Sequence, residues 1–170
     1  AENIEQKKDF YTKLAPHLED RTILCTNSST LLPSMFAAET QRPEKFLALH
    51  FANLIWRANT GEVMGHEKTS KEAFDTVVKF AGDIGMVPLP LHKEQPGYIL
   101  NSLLVPLIGA ASYLWGADIS DPETIDLTWK IGTGAPRGPF EIMDVVGVKT
   151  VYDITVLNPA SKTPGSPQAK

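Results

Sequence analysis

Residues 46–66, FLALHFANLIWRANTGEVMGH, decide how this chain is read. Phe46–Ala52 and Thr60–His66 are apolar or β-favouring runs on either side of a polar stretch, the pattern of two antiparallel strands. If the pair is centred near Trp56, His50 and Glu62 are equidistant from the centre and stand opposite one another. Cross-strand partners hold their β-carbons roughly 4.5–5.5 Å apart. A carboxylate at that range can accept an imidazole N–H, fix the tautomer and leave the other ring nitrogen free to act as a base. The same geometry also suits a structural His–Glu pair, and spacing alone leaves both readings open.

Outward from this pair the chain alternates helix and strand before becoming entirely helical. Asn3 caps a helix carrying Ile4, Phe10, Tyr11 and Leu14, and Arg21–Thr26 reads as a strand. A helix followed by a strand fits part of a larger parallel sheet, whose strands need crossover connections. The polar turn after that strand, Asn27 to Thr30, lies where ligands sit in open α/β sheets. Ser29 or Thr30 could equally serve as a helix cap there. Residues 69–85 form a helix ended by Gly85, and the two prolines of MVPLPL mark a sheet edge or strand ends. From Tyr98 the grammar changes. A long apolar helix with Pro106 inside it is followed by helices opened by Asp121–Pro122 and Gly138–Pro139. Asn101, polar on that apolar helix, is either exposed, engaged in a helix-packing hydrogen bond, or facing a cleft. The fold class is therefore α/β followed by all-α, with the boundary at residues 95/96.

Composition narrows the function. With 16 Lys plus Arg against 20 Asp plus Glu, the chain is mildly acidic and has no basic block, so nucleic acid is not an expected partner. No run of about 18 apolar residues is expected, and with it no membrane. Cys25 is the only cysteine and reads as a small core residue. His17, His50, His66 and His92 lack metal-ligand spacing, so no metal site is expected. The tail, LNPASKTPGSPQAK, reads as loop or disorder.

Five stretches in order, TNSSTLLPS, FLALHFANLIW, GEVMGH, PGYILNSLLVP and GTGAPRGPFEIMDVVG, resemble the 3-hydroxyacyl-CoA dehydrogenase family, in particular its short bacterial 3-hydroxybutyryl-CoA forms. The resemblance runs from residue 1 to about residue 158. It implies the second half of a Rossmann-like NAD-binding domain over residues 1–95 and a helical substrate and dimerisation domain over residues 96–170. His50 matches the family's catalytic histidine and Glu62 its partner. Ser29, Asn101 and Asn53 match substrate-binding positions, and Glu2 and Lys7 resemble an acidic residue and a lysine at the cofactor's edge.

By the same resemblance the expected function is NAD-dependent oxidation of a 3-hydroxyacyl-CoA to the 3-ketoacyl-CoA in a cytoplasmic homodimer, with Ser29 and Asn101 holding substrate oxygens from opposite domains. There are two departures: Ser102 stands where the family has arginine, and Leu54 where it has proline. No G-x-G-x-x-G turn occurs in the 170 residues, which reads as an internal segment that is inactive alone. The alternatives are a related 3-hydroxy acid or carnitine-type dehydrogenase, and a non-catalytic binding or dimerisation module of the same fold.

Overall fold

The computed structural model describes residues 3–147. The proline- and serine-rich tail and Glu2 lie outside the described residues. The chain divides into two compact units, Ala1–Ser102 and Leu103–Lys170.

In the first unit, helix α1 (Ile4–Leu14) starts where Asn3 Oδ1 accepts the N–H of Gln6 at 2.9 Å, as the capping pattern predicts. Strand β1 spans only Leu24–Thr26, three residues shorter at its start than expected. The reason is its partner. Leu24 pairs with Phe46, the first residue of β2 (Phe46–Phe51), so residues before Leu24 have no strand to bond. β2 runs antiparallel to β3 (Thr60–Met64) in the expected register, with His50 opposite Glu62. Helix α2 (Lys71–Asp83) is capped by Ser70 and returns the chain to β4 (Val87–Leu91), parallel to β3. Gly85, at φ +85°, makes the turn that a side chain would strain.

The four strands lie in the order β1-β2-β3-β4. Pro88 and Pro90 are two residues apart, so both missing N–H groups fall on the open side of β4 and its ladder to β3 is kept. One face of the sheet is dry: Leu47, Leu49 and Val63 pack on Val77 and Ala81 of α2. The alternation that sends these residues to one face sends Ala48, His50, Glu62 and Met64 to the other. There Ala48, Met64, Leu91 and Tyr98 form a second cluster. Cys25 corrects one expectation: in the edge strand β1 it is exposed, not a core residue. Desolvation by neighbouring atoms still pushes its thiol up to about 11, so it stays protonated at neutral pH.

Helix α3 (Tyr98–Gly116) begins in the first unit and continues into the second. It also corrects a sequence expectation, because it is long and apolar enough to cross a membrane by length and composition. Asn101, Ser102, Pro106 and Ser112 interrupt its apolar run, so counting uninterrupted apolar residues missed it. In the second unit α4 (Pro122–Thr133) is capped by Asp121, whose carboxyl the Thr124 N–H holds below the usual carboxylate range. Asp126, buried on α4, accepts the N–H groups of Phe140 and Glu141 and so caps α5 (Pro139–Val146). Gly138 is required beside it, since a β-carbon there would stand 2.2 Å from the Asp126 carboxyl carbon.

Candidate active site

The β2–β3 ladder places His50 and Glu62 side by side, 3 % and 2 % exposed. His50 Nδ1 lies 3.0 Å from Glu62 Oε2. The other carboxylate oxygen, Oε1, accepts the N–H groups of Ile99 and Leu100 at 2.9 and 3.0 Å. These belong to the first turn of α3, whose N–H groups have no partner within the helix. With both oxygens accepting, Glu62 accepts a hydrogen bond from Nδ1–H, and Nε2 of a neutral ring is left as the acceptor. Ser29 Oγ stands 3.2 Å from Nε2. The line Glu62–His50–Ser29 is thus a carboxylate, an oriented imidazole and a hydroxyl, the order found where a histidine takes a proton from an alcohol.

Ser29 is held by the turn after β1. Asn27 Oδ1 accepts the N–H of Phe51 at 2.9 Å, tying this turn to the end of β2, and Ser28 Oγ accepts the N–H of Leu31 at 3.0 Å. Of the two serines, Ser28 makes the local turn bond, and Ser29 reaches the histidine. Tyr98 adds a feature the sequence reading did not assign. Its ring stacks on His50 with centroids 4.3 Å apart and planes 13° apart, and its hydroxyl donates to the Ser28 carbonyl at 2.8 Å. The local signal for it is Gly97 before an aromatic residue at a helix start, which marks a forced backbone without naming its purpose.

The remaining expected site residues are not drawn into this line. Asn101 lies in the first turn of α3 and is half-buried, with no side-chain hydrogen bond among the described residues. Asn53 is exposed in the loop after β2, and Lys7 is half-buried on α1. Ser102, at the family's arginine position, turns its hydroxyl to the Tyr98 carbonyl and so offers no cation there. In that loop Leu54 has φ +60°, a left-handed conformation rare for a branched residue. A base and a hydroxyl with no cation among them suit an alcohol or ketone beside a hydride carrier. The pyrophosphate of a dinucleotide needs a glycine turn at a helix start, and these 170 residues contain no G-x-G-x-x-G.

Comparison with known proteins agrees with a dehydrogenase on this fold. Residues 1–95 match the family profile described as 3-hydroxyacyl-CoA dehydrogenase, NAD binding domain, and residues 97–170 match the C-terminal domain of the same family. The chain belongs to the 3-hydroxyacyl-CoA dehydrogenase family. It is 34 % identical to the 3-hydroxybutyryl-CoA dehydrogenase of Clostridioides difficile over 153 residues, covering 90 % of this chain and 54 % of that protein. Among solved structures, a diketoreductase described for dual catalysis of dicarbonyl compounds is 55 % identical, with a TM-score of 0.92 over 99 % of this chain and 57 % of its own. The (S)-3-hydroxybutyryl-CoA dehydrogenase of Ralstonia eutropha is 26 % identical with a TM-score of 0.84, over 92 % of this chain and 55 % of its own. The Rossmann-like α/β sheet followed by helices is the fold of these enzymes. The chain spans about half the length of the curated relatives it matches.

The bonding around Glu62 sets the cost of losing it. Glu62→Ala leaves the buried His50 Nδ1 and two part-buried N–H groups without an acceptor, and should lower the stability of the chain by about 3–5 kcal/mol. Chemical denaturation followed by far-ultraviolet dichroism checks this. A loss under about 1 kcal/mol would mean that water replaces the carboxylate at no cost, against the burial of the pair.

Proposed function

We propose that this chain carries the acid–base half of an NAD-dependent enzyme that interconverts a 3-hydroxyacyl-CoA and the 3-ketoacyl-CoA. The observation that carries this reading is the buried line from Glu62 through His50 to Ser29. In the oxidative direction His50 Nε2 takes the proton of the substrate hydroxyl as the hydride leaves the same carbon. NAD, when bound, supplies the acceptor for that hydride. Glu62 keeps Nδ1 protonated and stabilises the imidazolium that forms. Ser29 and Asn101 hold the substrate oxygens, Asn53 borders them, and Glu2 and Lys7 lie at the cofactor's edge. Residues 1–95 act as the second part of the NAD-binding domain and residues 96–170 as the substrate and dimerisation domain.

A second reading has a specific observation behind it. The 55 % identity with the diketoreductase exceeds the 26–34 % shared with the two 3-hydroxybutyryl-CoA enzymes, and Ser102 supplies no charge where the family has arginine. Both favour a small β-dicarbonyl or 3-hydroxy substrate without CoA. Reduction of acetoacetyl-CoA and of ethyl acetoacetate, compared as kcat/KM in the protein expressed from its complete reading frame, separates the two. A thioester preference of about tenfold or more supports the CoA reading, and the reverse supports the smaller substrate.

His50→Gln in the same protein should lower turnover by about two to four orders of magnitude while leaving the unfolding transition in place. Glu62→Gln should do nearly the same for a different reason. Its amide oxygen can still accept from Ile99 and Leu100, but its NH2 forces Nδ1 to accept, which puts the proton on Nε2 and removes the base. Retention of most of the turnover by either variant would overturn the assignment.

The second unit supports a homodimer. Leu103, Trp115, Ile119 and Ile131 are each more than half exposed, and a second copy is the cover we propose for this apolar surface. Sedimentation of the 170-residue chain at high micromolar concentration should report a dimer, and NADH titrated into the same sample should show no micromolar binding or turnover, for want of the pyrophosphate turn. A monomer would point to other cover for this surface, and micromolar NADH binding would place the phosphates elsewhere.

A further inference from the structure

The stack of Tyr98 on His50 is held by more than core packing needs. Tyr98 is 1 % exposed and shares its cluster with Ala48, Met64 and Leu91, where any large apolar side chain could fill the volume. Its backbone, however, sits at φ +55°, a left-handed conformation unfavourable for a residue with a β-carbon, directly after Gly97 at φ +81°. Both ends of the ring are tied. The hydroxyl donates to Ser28, the neighbour of Ser29, and the two peptide N–H groups that come after Tyr98 hold Glu62. The rings are nearly parallel, 13° apart, so the face of the tyrosine rather than its edge meets the imidazole.

An aromatic face is the negative part of the ring's quadrupole. A cation within about 6 Å of the centroid is attracted to it, most strongly where water is excluded. The centroids here are 4.3 Å apart, and His50, Glu62 and Tyr98 are all nearly inaccessible to solvent. A neutral imidazole gains little from that face. An imidazolium gains more.

We propose that Tyr98 is a positioning residue that stabilises the charge His50 acquires when it takes the substrate proton, a third member of the acid–base unit beside Glu62. The proposal rests on the reading of His50 as the base. Proton transfer is its only chemical step: the O–H bond of the substrate breaks, an N–H bond forms at Nε2, and the positive charge left on the ring is shared between the Glu62 carboxylate on one edge and the Tyr98 face. Because the attraction exists only once the ring is charged, it acts on the reacting state and not on substrate binding. Its loss belongs in kcat and not in KM.

The test uses the protein expressed from its complete reading frame. Tyr98→Leu removes the face but can disturb the core, so the deciding series keeps the shape. Phenylalanine and its mono-, di- and trifluoro forms are placed at position 98, each fluorine draining the negative face. The phenylalanine variant should keep kcat within about threefold, since it loses only the bond to Ser28. Across the fluorinated series kcat for alcohol oxidation should fall stepwise by about tenfold in total, with KM and the melting temperature unchanged. A flat kcat, or a KM and melting temperature that fall in step with it, overturns the role and leaves Tyr98 as packing. His50→Gln, assayed alongside, separates the two levels. An inactive His50→Gln with a flat series removes Tyr98 alone, whereas an active His50→Gln removes the base and this proposal with it.

Discussion

The carboxylate of Glu62 is the constraint on which the first unit turns. A carboxylate that is 2 % exposed is costly to bury unless each oxygen finds donors, and here three converge on it: the imidazole of His50 and the N–H groups of Ile99 and Leu100. The imidazole comes from the neighbouring strand at the same ladder position. The N–H groups come from a helix start, where they would otherwise need water or a cap. One side chain therefore satisfies a helix terminus, orients a histidine and fixes which ring nitrogen carries the proton. Removing the side chain would leave all three donors without their acceptor at once.

That constraint explains why the site is built on strands and not only on loops. β2 and β3 hold His50 and Glu62 through a register that cannot slip by one residue without sending one of the two to the α2 side, where Leu49 and Val63 now pack. The hydroxyl partner Ser29 does lie in a loop, but the loop is pinned twice, by Asn27 to Phe51 and by Tyr98 to Ser28. Only the segment after β2 is free of such ties to the acid–base line. It carries the left-handed Leu54 and the exposed Ile55 and Trp56.

The range of each interaction decides how much of it the sequence made legible. The facing of His50 and Glu62 was readable because a two-residue period and a turn centre fix it arithmetically, and the caps at Asn3 and Asp121 were readable because their partners lie three residues away. The resemblance to the family pointed to Ser29 among the polar residues of its turn, where local pattern could not separate ligand contact from capping. Tyr98 escaped notice because its two partners are 48 and 70 positions distant in the chain, and an aromatic residue at a helix start looks like any core residue. The length of β1 was overestimated because a parallel strand ends where its neighbour does, which no local pattern records. The apolar length of α3 was underestimated for the opposite reason: its few polar residues break the run in sequence without breaking the helix.

The identities with known enzymes separate two parts of the chemistry that the family combines. In the proposed reaction, proton transfer engages the buried Glu62–His50–Ser29 line. Ser102 and the loop from Asn53 to Arg57 lie outside that line. Those are the places where this chain departs from the family's pattern. A shared base with a divergent surround is what one reaction applied to different acyl partners requires. The likeness of 55 % to a diketoreductase and of 26 % to an (S)-3-hydroxybutyryl-CoA dehydrogenase is compatible with the proposed base, whose chemistry does not depend on the group beyond the reacting carbon.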